Sequence, residues 1–306
     1  MKKTYHLCLS GGDEVMFRDE EDYIRGNNCL CLAAHKTGST LLAYSEMSNH
    51  VHIGIRTEVP ELFMKTFRYP YNRYFNQKYS RAGQLGEADF FSLEIDGLYH
   101  LLTVIAYILR NPLHHGIAAT PFGYRYSSIS AVFRQELGRF EAPTLLPEQN
   151  QRRYLPNRER LPEGYQMDAS GLILPESVID VADVEHQFST ARTFLYYMNR
   201  TSSEAWEKEQ MEDGTSMAPI TLNDIEKGVR LHDVRTMLAN EHGRANYHAV
   251  SDIQLCREID TVILKGDKSV YQLSSKEKAL IADILFKEFR ISGEQIRRCL
   301  GGSLSI

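Results

Sequence analysis

The sequence predicts an α+β fold: a mostly antiparallel sheet with helices packed on it, followed by a mainly helical C-terminal region. Three observations carry this. The first 110 residues alternate strand, helix, hairpin, helix, strand and helix patterns. Prolines accumulate after residue 140. Helical periodicity then dominates from residue 184 onward.

The elements follow in order. Residues 4–10 (TYHLCLS) read as a strand, broken by Gly11-Gly12-Asp13. Helical spacing runs from Asp19 to about Lys36, with Tyr23, Leu30 and Ala34 on one side, and Gly38 ends it. Residues 40–47 (TLLAYSEM) and 50–56 (HVHIGIR) are strands joined by a tight Ser48-Asn49 turn. A helix is expected over about 59–80, then a loop at Gly83 and Gly86, then a strand over 90–95. Asp96 is placed to cap a helix over 97–110, which Pro112 stops. Three regions result: a first domain over 1–140, an extended proline-rich connector over 141–183 and a helical region over 184–306. Within the last, 184–200 reads as one helix and 203–217 as a polar, acidic loop.

Composition narrows the class. With 42% apolar and 25% charged residues, the chain matches an ordinary globular protein. No run of about 18 apolar residues is present, so no membrane span is expected. The N-terminus lacks a long apolar stretch, and a cytoplasmic protein is the plain reading. Cys8, Cys29, Cys31, Cys256 and Cys299 show no zinc-finger spacing and read as small buried hydrophobes. The net charge of −5 argues against a protein that coats DNA non-specifically. Residues 64–81 run against that balance: Lys65, Arg68, Arg73, Lys78 and Arg81 stand with no acid. Phe67, Tyr69, Tyr71, Tyr74, Phe75 and Tyr79 are interleaved with them. Cations pair with phosphates and exposed rings stack on unpaired bases, although aromatics at this spacing equally serve a core.

Two short patterns carry chemistry. In Asn49-His50-Val51-His52-Ile53, strand alternation puts His50 and His52 on one face, where two imidazoles can hold one divalent ion. Alone, the pair reads more readily as two ordinary structural histidines. In Tyr107-Ile108-Leu109-Arg110-Asn111-Pro112, Tyr107 and Asn111 are four apart and share a helix face. A core aromatic beside a C-capping amide is the plainer reading. Asn111 precedes proline, so it is expected at the last edge of the helix.

Together these pieces resemble the single-tyrosine insertion-sequence transposases, and most closely the REP-associated tyrosine transposases. The matching stretches are Ala43 to His52 and Tyr107 to Pro112, with Val15 to Tyr23, Tyr74-Phe75-Asn76 and Tyr124 to Ser128 in the same order, covering about residues 4–130. The resemblance implies a ferredoxin-like HUH domain. In it His50, His52 and Asn111 are metal ligands for Mg²⁺ or Mn²⁺, and Tyr107 is the nucleophile. It also implies an endonuclease and strand transferase active in transposition and DNA recombination. Such an enzyme cuts and rejoins single-stranded DNA, here hairpin-containing repeats, through a 5′-phosphotyrosine. Arg110 is placed to touch phosphate or to sit as a solvated helix-end charge. His100, His114 and His115 are candidates for the base by proximity in sequence; Arg56 is assigned no role. Acids at Glu87 and Asp89, and His114-His115 after the Asn-Pro pair, depart from the family pattern. Relatives form dimers that share active sites, and no feature here decides for a homodimer or against it.

Residues 274–300 resemble the first two helices of a helix-turn-helix, capped at Ser274 or Ser275 and at Ser292, with Ile296 and Leu300 facing inward. The motif is cut short before a recognition helix, so DNA contact by Arg297 and Arg298 stands beside simple packing. Two other functions stay open: a catalytically silent, domesticated DNA-binding or regulatory protein, and a replication initiator or relaxase on the same two-histidine plan.

Overall fold

A computed structural model describes residues 2–115, 117–139, 141–199 and 250–302. The expected loop over 203–217 lies outside the described residues.

Four antiparallel strands form one sheet: β1 (Lys3–Ser10), β2 (Thr40–Met47), β3 (His50–Thr57) and β4 (Phe91–Ile95), in the order β2-β3-β1-β4. This is the strand order of the ferredoxin-like split βαβ arrangement. β1 and β3 pair over their whole length, with Cys8 opposite His52 and Ser10 opposite His50. A bulge between Leu41 and Ala43 interrupts the β2–β3 ladder.

Alternation divides the sheet into two faces. Leu7, Leu9, Val51 and Ile53 are fully buried and face α1 (Glu20–Lys36) and α2 (Pro60–Tyr79), which pack on one another. Asp19 caps α1 by accepting from the Asp22 amide, while the Asp22 side chain accepts from the cap backbone. Phe63, Phe67, Tyr71, Phe75 and Tyr79 of α2 are buried, so the aromatic stripe there belongs mainly to the core. The opposite face, with His6, Cys8, His50 and His52, is covered by α3 (Leu98–His114).

α3 differs from expectation at both ends. Its N-cap is Gly97, at φ 88° and ψ 156°, and no side chain caps it, so Asp96 does not serve. At the other end the helix runs through Pro112 for one more turn. Pro112 has no N–H to donate to the Ile108 carbonyl, but the His115 amide donates to the Asn111 carbonyl at 3.0 Å and the turn closes. Asn111 therefore keeps a helical backbone despite preceding proline.

The expected connector is not extended. Residues 141–180 make short turns, among them α4 (Glu148–Gln151), and bury Leu155, Met167, Ile173 and Ile179 in the same core as the sheet. Asn28 of α1 holds this segment: its amide donates to Gly171 and Tyr154 carbonyls and its oxygen accepts from the Ile173 amide. The helix expected over 184–200 is two, α5 (Val181–Phe188) and α6 (Ala191–Asn199), broken at Ser189 with φ 64°. Both bury their apolar sides in the sheet's core.

The last helices, α7 (Asp252–Glu258), α8 (Ser275–Lys287) and α9 (Gly293–Cys299), share a second core that includes Val15. Ser274 caps α8 and Ser292 caps α9, and Ile296 and Leu300 are fully buried, as their spacing predicts. All five cysteines are buried and unpaired by disulfides. No helix among the described residues is long and apolar enough to cross a membrane.

Candidate functional site

β3 presents His50 and His52 two residues apart on the face covered by α3, and the 3.6-residue period turns Tyr107 and Asn111 of α3 toward them. His50 Nε2 lies 3.0 Å from Asn111 Oδ1. The His52 ring lies 5.2 Å from the Tyr107 ring, centroid to centroid, and 5.0 Å from the His50 ring. The four residues are buried; Tyr107 is 4% exposed. Residues from two distant segments thus meet in one place beneath α3.

The hydrogen-bond pattern decides what the place can hold. Burial, then the neighbouring His50 and His6, push the His52 imidazole well below its usual pKa, so it is neutral at pH 7. His6, on β1, is pushed down to about 3 by burial. His6 Nε2 and His52 Nδ1 are 3.0 Å apart, so one of them carries the shared proton. Where His52 Nδ1 donates to His6, His52 Nε2 is left as a bare lone pair, and it has no partner in the structure. His50 Nδ1 sits 2.9 Å from Asn49 Oδ1, an acceptor. Donation there leaves the His50 Nε2 lone pair facing Asn111 Oδ1, a second acceptor. With Nε2 protonated instead, it donates to Asn111 Oδ1; in the first tautomer a cation would relieve the repulsion between Nε2 and Oδ1. Two ligands at right angles, each about 2.1 Å from one ion, are about 3.0 Å apart. His50, His52 and Asn111 therefore fit a divalent ion with open positions, and imidazole ligation suits Mn²⁺ better than oxygen-seeking Mg²⁺. Among the described residues no three His, Cys, Asp or Glu side chains form a cluster that could hold a metal ion by themselves. Cys8 shares the face, and burial pushes its thiol well above the usual range.

His6 and Asn49, not marked by any sequence motif, hydrogen-bond the two imidazoles from behind, as the supporting partners of ligating histidines do. The period-2 alternation of TYHLCLS carried the signal for His6, once β1 is known to pair with β3. Of the candidate bases, His115 lies nearest His50, with ring centroids 5.1 Å apart, and burial followed by His50 keeps it neutral. The exposed His114 ring lies 6.4 Å from that of Tyr107. His100 is buried two turns earlier on α3, and Arg110 is half-buried there.

A cleft of about 570 Å³ opens beside this cluster, walled by the Ser48-Asn49 turn, His50, His115, Tyr126 and the C-terminal Asp252 and Arg298. His52, Tyr107 and Asn111 do not line it; they lie deeper. Arg298 does not reach outward: it is 5% exposed and its Nε lies 2.9 Å from Asp252 Oδ2, which also accepts from Ser48 Oγ at 2.7 Å.

The basic stretch lies elsewhere. α2 packs on the sheet face away from His50 and His52. Lys78 pairs with Asp19 and Asp22, Arg81 with Glu14, and Arg68 donates to the Glu87 and Ala88 carbonyls. These three serve the chain's own fold, while Lys65 and Arg73 are exposed.

Comparison with family models returned no match, and no curated protein matched. Among solved structures, the chain is similar to a REP-associated tyrosine transposase bound to a REP hairpin, at 12% identity over 47% of this chain and 84% of that one, with a TM-score of 0.37.

Proposed function

We propose that this chain is a metal-dependent tyrosine transesterase that cuts and rejoins single-stranded DNA. The observation that supports it is the gathering of His50, His52, Asn111 and Tyr107 from β3 and α3 into one buried cluster. A bound Mn²⁺ or Mg²⁺ would supply Lewis-acid stabilisation to the non-bridging phosphate oxygens. The Tyr107 oxygen attacks phosphorus, the P–O3′ bond breaks, and a 5′-phosphotyrosine and a free 3′-hydroxyl result. The phenol gives up its proton to a neutral imidazole or to water, and the departing 3′ oxygen takes one up. Bond energy is conserved, so the reverse attack rejoins the strand. Asn111 Nδ2, buried without a partner, is a donor for an incoming phosphate oxygen.

The burial of Tyr107 favours a second reading, a catalytically silent DNA-binding protein on the same fold. One experiment separates the two. The protein is incubated with Mn²⁺ and labelled single-stranded hairpin DNA, and covalent adduct is read on a denaturing gel. An adduct lost in Tyr107→Phe supports the transesterase; binding with no adduct supports the silent protein.

A further inference from the structure

On the sheet face away from His50 and His52, α2 and the 152–158 segment enclose a cleft of about 400 Å³. Arginines reach it from three parts of the chain: Arg25 from α1, Arg73 from α2, and Arg153 and Arg158 from the segment between. No carboxylate lines it among the described residues. The whole chain carries 40 acids against 35 lysines and arginines, so this local excess runs against its composition. Like charges brought together repel, and an anion between them relieves the repulsion.

Two of the guanidinium groups lie over aromatic rings. Arg25 lies 5.2 Å from the Tyr74 ring centroid, and Arg153 lies 4.6 Å from that of Tyr154. Arg25 also meets Glu21 at 3.4 Å, yet its Nε is buried with no partner. Asn157 and Arg158 both take left-handed backbone, with φ 53° and 54°, an uncommon conformation for two successive non-glycine residues. At the same cleft Tyr69 is 71% exposed, a large ring left in water.

We propose that this cleft docks single-stranded nucleic acid: phosphates lie between Arg73, Arg153 and Arg158, and an unpaired base stacks on Tyr69. Cations supply affinity and an exposed ring takes any base by its face, the pattern of sequence-tolerant single-strand sites. A duplex offers no free base face to Tyr69. The choice of DNA over RNA rests on the function proposed above; the cleft itself does not.

The test is fluorescence anisotropy with a labelled single-stranded oligonucleotide of about 20 nucleotides, and with its duplex, at several salt concentrations. The combined Arg73→Glu and Arg158→Glu variant should bind the single strand at least about tenfold more weakly, with a salt slope shallower by about 1.4. Tyr69→Ala should weaken single-strand binding by about tenfold and leave duplex binding unchanged. Arg73→Lys should retain most of the affinity, and thermal melting of each variant checks the fold. The proposal falls if the wild type does not bind single strands, or if the double charge reversal binds as the wild type does. It falls also if Tyr69→Ala leaves single-strand binding intact, or if a phosphopeptide or duplex binds this cleft in preference. Adduct formation is scored on the same samples. Binding that depends on Arg73 and Arg158 without any Tyr107 adduct overturns the chemistry alone; an adduct with binding indifferent to these arginines overturns this site alone.

Discussion

At the residue scale, the lone pairs beneath α3 make a direct prediction. Mn²⁺ at about 100 times its dissociation constant should stabilise the protein by ~2.7 kcal/mol, visible as a rise in melting temperature that a chelator reverses. His50→Ala and Asn111→Ala should each remove that rise. Glu46 makes another. It is fully buried on the opposite face of the sheet, and neither carboxylate oxygen has a hydrogen-bond partner. Burial holds its pKa well above the ordinary range. An acid whose folded pKa is raised stabilises most below its unfolded pKa, about 4.3, and that stability drains as pH rises toward the folded value. Glu46→Met should therefore stabilise by ~1–3 kcal/mol at pH 7, with a gain that grows as pH rises above the unfolded pKa in urea titrations.

At the element scale, Pro112 is the informative position. It costs α3 one hydrogen bond and sits beside Asn111. Pro112→Ala should stabilise α3, raising the melting temperature by a few degrees, while relaxing the backbone that aims the Asn111 oxygen. Mn²⁺ affinity measured by calorimetry should fall. This position also marks where sequence reading reached its limit. The strands were legible because each buried face alternates cleanly, and α1 because Asp19 and Asp22 form a reciprocal cap. His50, His52, Tyr107 and Asn111 were legible as pairs on single elements. Their meeting was not, because pairing register and helix placement depend on contacts far apart in sequence. Local rules misjudged Pro112, since a turn closed by the His115 amide outweighed the preference of the residue before proline. They missed the break at Ser189 and the packing of 141–183, because tertiary burial decided both. The positive charge of 64–81 was visible, but not the carboxylates Asp19, Asp22 and Glu14 that pair with Lys78 and Arg81.

At the scale of the whole molecule, the C-terminal helices are tied to the sheet domain through buried ions. Arg18 is 1% exposed, pairs with Asp260 and donates to the Cys299 carbonyl at 2.7 Å. Burial opposes ionisation of Asp252, but Arg298, with Ser48 and Gln295, holds its carboxyl below the usual range. A depressed acid stabilises above its unfolded pKa, about 3.9, and loses that contribution as pH falls through the folded value. Arg298→Met strands the Asp252 charge and should cost ~3–5 kcal/mol at pH 7, measured by denaturant unfolding, with the deficit shrinking in strong acid. The described parts should melt as one transition in calorimetry, and Arg298→Met should lower it.

Gly54 sets a dimension that none of these ions controls. It stands opposite His6 on the imidazole face, and a methyl group there would come within 3.2 Å of Ile108 Cδ1, one residue beyond Tyr107. The missing carbon acts as a shim between helix and sheet. Any bulk at this point would lift the phenol off the imidazoles by tenths of an ångström, without touching either of them.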